Sequence, residues 1–288
     1  MKAAPFAYVR PGRLEDVLDE LAGGDGKVLA GGQSLVPVLA MRLGRPDTLV
    51  DITAVPELAS STSDEDGYRV GAAVRQRAVE HDRASRAVPL IGMAMPFVGH
   101  RELRSRGTVC GSLAHADPAA ELPAIACCLE ATVELAGPAG RRRMPAEEFV
   151  TGAMSTAAGP EDVVVSVTFP LARPGEGFGF AELARRHGDF ALAGVATRVR
   201  VGGDGAVTDA RLTGFGISDR AVTRNVTSLL TEHEGDLRPA TAALADAVVD
   251  TGGDTHGSTG YRRRLFGVLA ARELSRALHR ARNRKEGS

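Results

Sequence analysis

The segment AGVATRVRVGGDGAVTDARLTGFGI, residues 193–217, constrains the fold of this chain more than any other. Two alternating runs rich in Val and Thr flank Gly-Gly-Asp-Gly, a loop whose glycines supply the backbone freedom of a hairpin turn. An antiparallel hairpin is therefore expected late in the chain. Before it, KVLAG (27–31) and DTLVDIT (47–53) read as strands on either side of a helix over 34–43, where Leu35, Leu39 and Leu43 recur at helical spacing. YRVGAAV (68–74) reads as a strand, and 85–98 as a helix with Pro89 in its opening turns. ATVELAG and RRRMPA form a second hairpin around a Pro-Ala-Gly turn, followed by the strand VVVSVTFP. Beyond Ala221 the pattern is helical to the end. The breakers of PLARPGEG put the main boundary at 170–176.

The chain has 288 residues, of which 43% are hydrophobic, enough to fill a substantial core. Its 35 basic and 36 acidic residues nearly cancel, so no general attraction to nucleic acid or to an anionic membrane is implied. No run reaches the roughly 18 apolar residues of a membrane span, and MKAAPFAYVRPG has no apolar signal core. These features predict a globular cytoplasmic protein without membrane insertion. Cys110, Cys127 and Cys128 make neither a disulfide framework nor a CxxC metal motif; the adjacent pair reads as small buried helix residues.

AGGQS, residues 30–34, raises a chemical question. A strand that ends in two glycines and passes into a Ser-started helix presents free amides where an anion is favoured. Gly31 and Gly32 are equally consistent with a tight strand-to-helix turn and no ligand. A second turn of similar design lies in RGTVCGSLAHADP, with Gly107, Gly111, Thr108 and Ser112 preceding an Asp117-Pro118 helix start. Two such turns suit a diphosphate. Neither GxxxxGK[ST] nor a GxGxxG after a strand occurs, which removes the usual P-loop and Rossmann signatures.

AGGQSLVPVLAMRLGRPDTLVDIT followed by RGTVCGSLAHADPAAELPA resembles the FAD-binding medium subunit of the molybdenum hydroxylases, the family of carbon monoxide dehydrogenase, quinoline oxidoreductase and xanthine dehydrogenase. Both motifs occur in order at the family's spacing, and ARRHGDFALAG extends the resemblance into the second half. The resemblance implies an α+β chain. A two-lobed, PCMH-like FAD-binding domain would cover 1–175, with lobes of about 1–56 and 57–175. A C-terminal α+β domain of the carbon monoxide dehydrogenase flavoprotein type, with an antiparallel sheet and a helical bundle, would cover 176–288. By position, FAD contacts would come from Val28, Leu29, Ala30, Gly31, Gly32, Gln33, Ser34 and Leu35, and from Thr108, Val109, Gly111 and Ser112. Val98, Glu121 and Val164 fall where the family has further flavin contacts. A separate large subunit would hold a molybdenum cofactor, a small one two 2Fe-2S clusters, and the FAD here would pass electrons to an external acceptor that the sequence does not identify.

Two departures from the family stand out. Cys110 replaces a second glycine, and Ala184, with Arg185 and Arg186 beside it, occupies the position of a flavin-contacting lysine found in some members. Cys110 reads as a packing residue, with a reactive thiol or covalent flavin tether as the alternative. His115 and Asp117 form no metal site in this reading, since the Asp serves as a helix cap. Arg141 to Arg143 read as a solvated face, and Leu265, Leu269, Leu274 and Leu278 as the buried stripe of a helix over 261–284. No catalytic side chain is expected, because the isoalloxazine supplies the chemistry. The alternatives are a stand-alone FAD-dependent oxidase or dehydrogenase acting on its own small-molecule substrate, or a binding protein without flavin.

Overall fold

The computed structural model describes residues 2–233 and 235–286. Its first lobe contains β1 (Ala7–Val9), α1 (Leu14–Leu21), β2 (Gly26–Leu29), α2 (Leu35–Ala40) and β3 (Thr48–Asp51). The three strands form a parallel sheet in the order β1-β3-β2. Leu14, Val17 and Leu21 share one face of α1 and are all buried, which fixes that helix on the sheet.

The second lobe runs through β4 (Ser61–Asp64), β5 (Gly67–Gly71), α3 (Gln76–His81), α4 (Pro89–Ala94), α5 (Arg101–Arg106), α6 (Val109–His115) and α7 (Glu121–Cys128). It continues with β6 (Thr132–Gly137), β7 (Gly140–Pro145), α8 (Ala146–Phe149), β8 (Val150–Gly152), β9 (Ser155–Thr156) and β10 (Val163–Phe169). Its antiparallel sheet has the order β4-β5-β10-β6-β7. The unbroken Val-rich sequence of β10 follows from its central position: six of its seven residues are buried, so there is no solvent face to mark with polar side chains. All eight residues of α7 are buried, including Cys127 and Cys128.

The third part holds β11 (Glu176–Ala184), β12 (Ala191–Val201), β13 (Val207–Phe215), β14 (Val222–Asn225), α9 (Thr227–Glu232), α10 (Arg238–Val248) and α11 (Thr259–Glu286). The strands form an antiparallel sheet in chain order, and α11 packs across it. One set of side chains, including Phe178, Phe180 and Phe215, joins the core shared by the first two lobes. The opposite set, including Ala181, Val195 and Leu212, closes against Phe266, Ala270 and Leu274 of α11. The helix can come this close because β11 carries Gly177 and Gly179. A Cβ on Gly177 would collide with the Ala277 carbonyl, and one on Gly179 would lie 2.6 Å from the Glu273 carbonyl oxygen. Arg262, buried near the start of α11, donates to the carbonyls of Leu192 and Gly216, tying the helix to the ends of β12 and β13.

Several elements depart from the sequence expectation. The helix over 34–43 stops at Ala40, because Arg42 enters the left-handed region at φ 59° and the Leu43 amide turns back to the Val38 carbonyl. Leu43 is consequently 75% exposed rather than part of a stripe. The helix over 85–98 is three short pieces, 84–87, α4 and 95–97; Pro89 starts the second and Pro96 lies in the third, neither ring leaving an amide to extend a helix. Asp117 does not cap α7: its carboxylate accepts from Ala119 N at 2.8 Å in a separate turn, and α7 starts at Glu121. Past Ala221 the chain first adds β14 as an edge strand, and β4 pairs with β5 where no hairpin was expected. Both hairpins read from sequence form, and Leu269 and Leu274 lie in the buried face of α11, flanked by half-buried Leu265 and Leu278.

Gly179→Val should lower the unfolding free energy by roughly 3 kcal/mol, because a branched side chain must push α11 off the sheet. Urea denaturation followed by circular dichroism measures this, and a loss under about 1 kcal/mol would mean that the close approach tolerates a side chain.

Candidate functional site

The two glycine turns are remote in sequence and in direct contact in space. Gly31 follows β2 and abuts the backbone ahead of α6: a Cβ there would run into the Arg106 carbonyl and come within 2.6 Å of Gly107 Cα. Gly32 sits at φ +72°, the left-handed turn that sends the chain into α2. Gln33 Nε2 donates to the Gly31 carbonyl at 3.0 Å and closes this turn. Ser34, which precedes α2, has helical backbone angles, and its hydroxyl makes no capping bond. In the second turn Thr108 is the cap, its Oγ1 accepting from Gly111 N at 3.0 Å. A Cβ on Gly111 would lie 3.8 Å from the Ala30 Cβ, so the turns face each other along their length.

Arg75 and Gln76, at the start of α3, clamp this junction, and no sequence motif pointed to either. Gln76 N donates to the Gly107 carbonyl at 2.8 Å, while Gln76 Nε2 donates to the Thr108 carbonyl at 3.3 Å. Arg75 Nη1 donates to the Arg106 carbonyl. Burial lowers the basicity of the Arg75 guanidinium, the like charge of Arg106 lowers it further, and Asp51 opposes both. Two guanidinium groups thus lie beside turns that also carry first-turn amides of α2 and α6, which have no intrahelical carbonyl to bind. The donor set suits a diphosphate, and an anion between the arginines would relieve their mutual repulsion. Since α2 has six residues and α6 seven, these amides and guanidinium groups, rather than a long helix dipole, would supply the attraction.

The predicted contacts fall into two groups. Of the residues from Val28 to Leu35 and Thr108, Val109, Gly111 and Ser112, Gly31 abuts Arg106 and Gly107 just before the second set, and Ala30 lies beside Gly111. Thr108 and Val109 are buried. Val98, Glu121 and Val164 are each 8% exposed and belong to other elements. Val98 follows Phe97, whose ring packs on Phe180 of β11 at 5.4 Å; Glu121 opens α7; Val164 precedes a bulge in the pairing of β10 with β6. Burial, opposed by its own backbone amide and reinforced by Asp117, pushes the Glu121 carboxyl up to about 7.

Cys110 points away from the junction. Its thiol is buried, donates to the Val70 carbonyl at 3.4 Å, and is pushed up to about 12 chiefly by burial. This geometry is that of a packing residue. Arg185 is next to Ala184, the last residue of β11, and contacts His256 Nδ1 at 3.0 Å. Arg141 pairs with Glu57 and Glu134, and Arg142 with Asp162. Among the described residues no cluster of His, Cys, Asp and Glu is arranged to hold a metal ion, and no helix is long and apolar enough to cross a membrane.

Residues 4–172 match the family model for the FAD binding domain in molybdopterin dehydrogenase, and residues 178–277 match that for the CO dehydrogenase flavoprotein C-terminal domain. The chain is 37% identical to the 6-hydroxypseudooxynicotine dehydrogenase complex subunit alpha of Paenarthrobacter nicotinovorans over 99% of both chains. It superimposes on a chain of quinoline 2-oxidoreductase from Pseudomonas putida 86 with a TM-score of 0.88 and 32% identity, covering 99% of this chain and 100% of that one. Against carbon monoxide dehydrogenase from Hydrogenophaga pseudoflava the TM-score is 0.90 at 29% identity, covering 97% and 99%.

All three cysteines are buried, and burial is the main cause that pushes Cys110 and Cys127 up to about 12 and Cys128 up to about 11. Thiol titration of the native protein near neutral pH should therefore detect no fast-reacting cysteine, and three after denaturation. A yellow pellet after acid precipitation would instead reveal a covalent flavin bond.

Proposed function

The chain belongs to the FAD-binding medium subunits of the molybdenum hydroxylases, and on that premise we propose that it relays electrons from 2Fe-2S clusters of a small partner subunit to an external acceptor. A large partner subunit with the molybdenum cofactor would oxidise the substrate. The observation that supports the cofactor's placement is the backbone contact between Gly31 and Arg106–Gly107, which turns two separate loops into one wall of amides. When bound, FAD supplies the ability to collect electrons singly and to deliver them in pairs.

The protein's own groups hold and orient. Amides of the 31–35 segment and of Val109 and Cys110 would receive the diphosphate, and Arg75 and Arg106 would balance its charge. The Ser112 hydroxyl adds a further donor beside Gly111. Gln76 anchors the second turn from behind, so that its amides are aimed before a ligand arrives. Val98, Glu121 and Val164 would lie toward the ring end. Arg75 is held by the Arg106 carbonyl, and among the described residues no acid/base set around these turns converges on a substrate carbon. A relay requires none.

Gly31→Val should weaken FAD binding by about a hundredfold, since roughly 3 kcal/mol of turn-to-turn packing is lost when the loops separate. Arg75→Ala, which introduces no clash, should weaken it by about tenfold, chiefly at low salt. Isothermal calorimetry on variants with native circular dichroism measures both, and unchanged affinities would displace the cofactor from these turns. The flavin of the isolated chain should be reduced by dithionite yet stay oxidised with aldehydes, purines and N-heterocycles until both partner subunits are added. Rapid anaerobic bleaching by such a substrate without partners would establish the stand-alone enzyme instead.

A further inference from the structure

The helices α3 and α5 pack together and bracket the second glycine turn. At its start α3 holds that turn through Gln76 and Arg75; near its other end, Glu80 meets Arg104 of α5. The Arg104 side chain is only 10% exposed. Its Nε and Nη2 donate to the two oxygens of Glu80 at 3.2 and 3.0 Å, a bidentate pair. Its Nη1 donates to the carbonyls of Val98 and Gly99 at 3.2 and 3.1 Å. Those carbonyls belong to the corner ahead of α5, where Gly99 takes the left-handed conformation at φ 51°. Burial alone would raise the Glu80 carboxyl, but its bond to Arg104 and the charges of Arg104, Arg77 and His81 hold it below the ordinary glutamate range, so the pair stays ionised at neutral pH.

The same corner is where the second lobe meets the third part of the chain. The Phe97 ring packs on Phe180 at 5.4 Å and edge-on to His187 at 6.2 Å. His100 lies against Gly188, where a Cβ would come within 2.6 Å of the imidazole. Further along α5, Gly107 N donates to the Leu103 carbonyl at 2.7 Å and fixes the second turn to the end of the helix. One buried guanidinium thus links the corner that carries Val98 to the helices that carry the diphosphate turn. We propose that Arg104 is a positioning residue for the flavin: braced by Glu80, it fixes the Val98–Gly99 corner relative to the turn that receives the diphosphate, and so holds the ring of a bound FAD in one orientation. The inference rests on the FAD placement proposed above, with Val98 toward the ring end. Arginine suits the role because a planar fork can engage a carboxylate along one edge and carbonyls with its remaining donors; the single ammonium of a lysine cannot do both.

Arg104→Met removes the fork and keeps the length of the side chain. Combining it with Glu80→Gln avoids leaving a carboxylate unpaired, and Arg104→Lys keeps the charge without the fork. In the protein without FAD, hydrogen exchange read by mass spectrometry should become about tenfold faster over residues 97–100 in each variant, with residues 108–112 unchanged. In FAD-loaded protein the visible circular dichroism of the flavin, which fixed surroundings induce in a flat ring, should weaken in each variant. Arg75→Ala, at the diphosphate turns, should lower the affinity and leave the visible circular dichroism of the bound flavin as in the parent. Loss of FAD from variants whose 108–112 segment keeps its protection would also support the role. Unchanged exchange over 97–100, equal acceleration over 108–112, or an unaltered flavin spectrum in a variant whose corner has loosened would overturn it. If the parent binds no FAD, the proposed function fails, and the exchange over 97–100 still decides whether Arg104 holds the corner.

Discussion

The Gly31 backbone rests against the backbone of Arg106 and Gly107, and the wall proposed to receive the cofactor depends on that contact. It closes the first lobe on the second without a side chain between them, leaving the amides of both turns on one surface. The surrounding features serve the same contact. The left-handed turn at Gly32 sets the direction of entry into α2, Thr108 caps α6, and Gln76 bonds to two consecutive carbonyls of the second turn. Each of these groups is satisfied within the protein, so the turns are pre-shaped for an anion rather than organised by it.

The third part of the chain meets the first two by a different logic. Gly216 N bonds to the Pro118 carbonyl, and Glu130 accepts from Arg198 at 2.7 Å and Arg211 at 3.0 Å. Those charges are matched, and around them Phe97, Phe180 and Phe215 form a row of stacked and tilted rings.

Much of the fold was legible because it is encoded at short range. Alternating Val and Thr around Gly-Gly-Asp-Gly determine the β12–β13 hairpin, and the apolar spacing of the last helix determines its buried side. Failures occurred where a local rule had a local competitor. Asp117 satisfied Ala119 instead of capping a helix, the chain left α2 through Arg42, and Pro96 interrupted what periodicity alone joined. Cys110 does not block the turn, because its side chain projects toward Val70 and the core. Nothing in the spacing of residues 106–112 indicates which way that thiol points.

By itself the sequence determined the kind of chain this is: two glycine turns in order, at a spacing that identifies the family, followed by a hairpin and helices. Turn chemistry and periodicity are properties of neighbouring residues, so they survive in one dimension. Tertiary structure alone decided that Gly31 faces Gly107, and that Arg75 and Gln76 clamp the second turn from a helix some thirty positions earlier. Those relations depend on which surfaces come together when the lobes close.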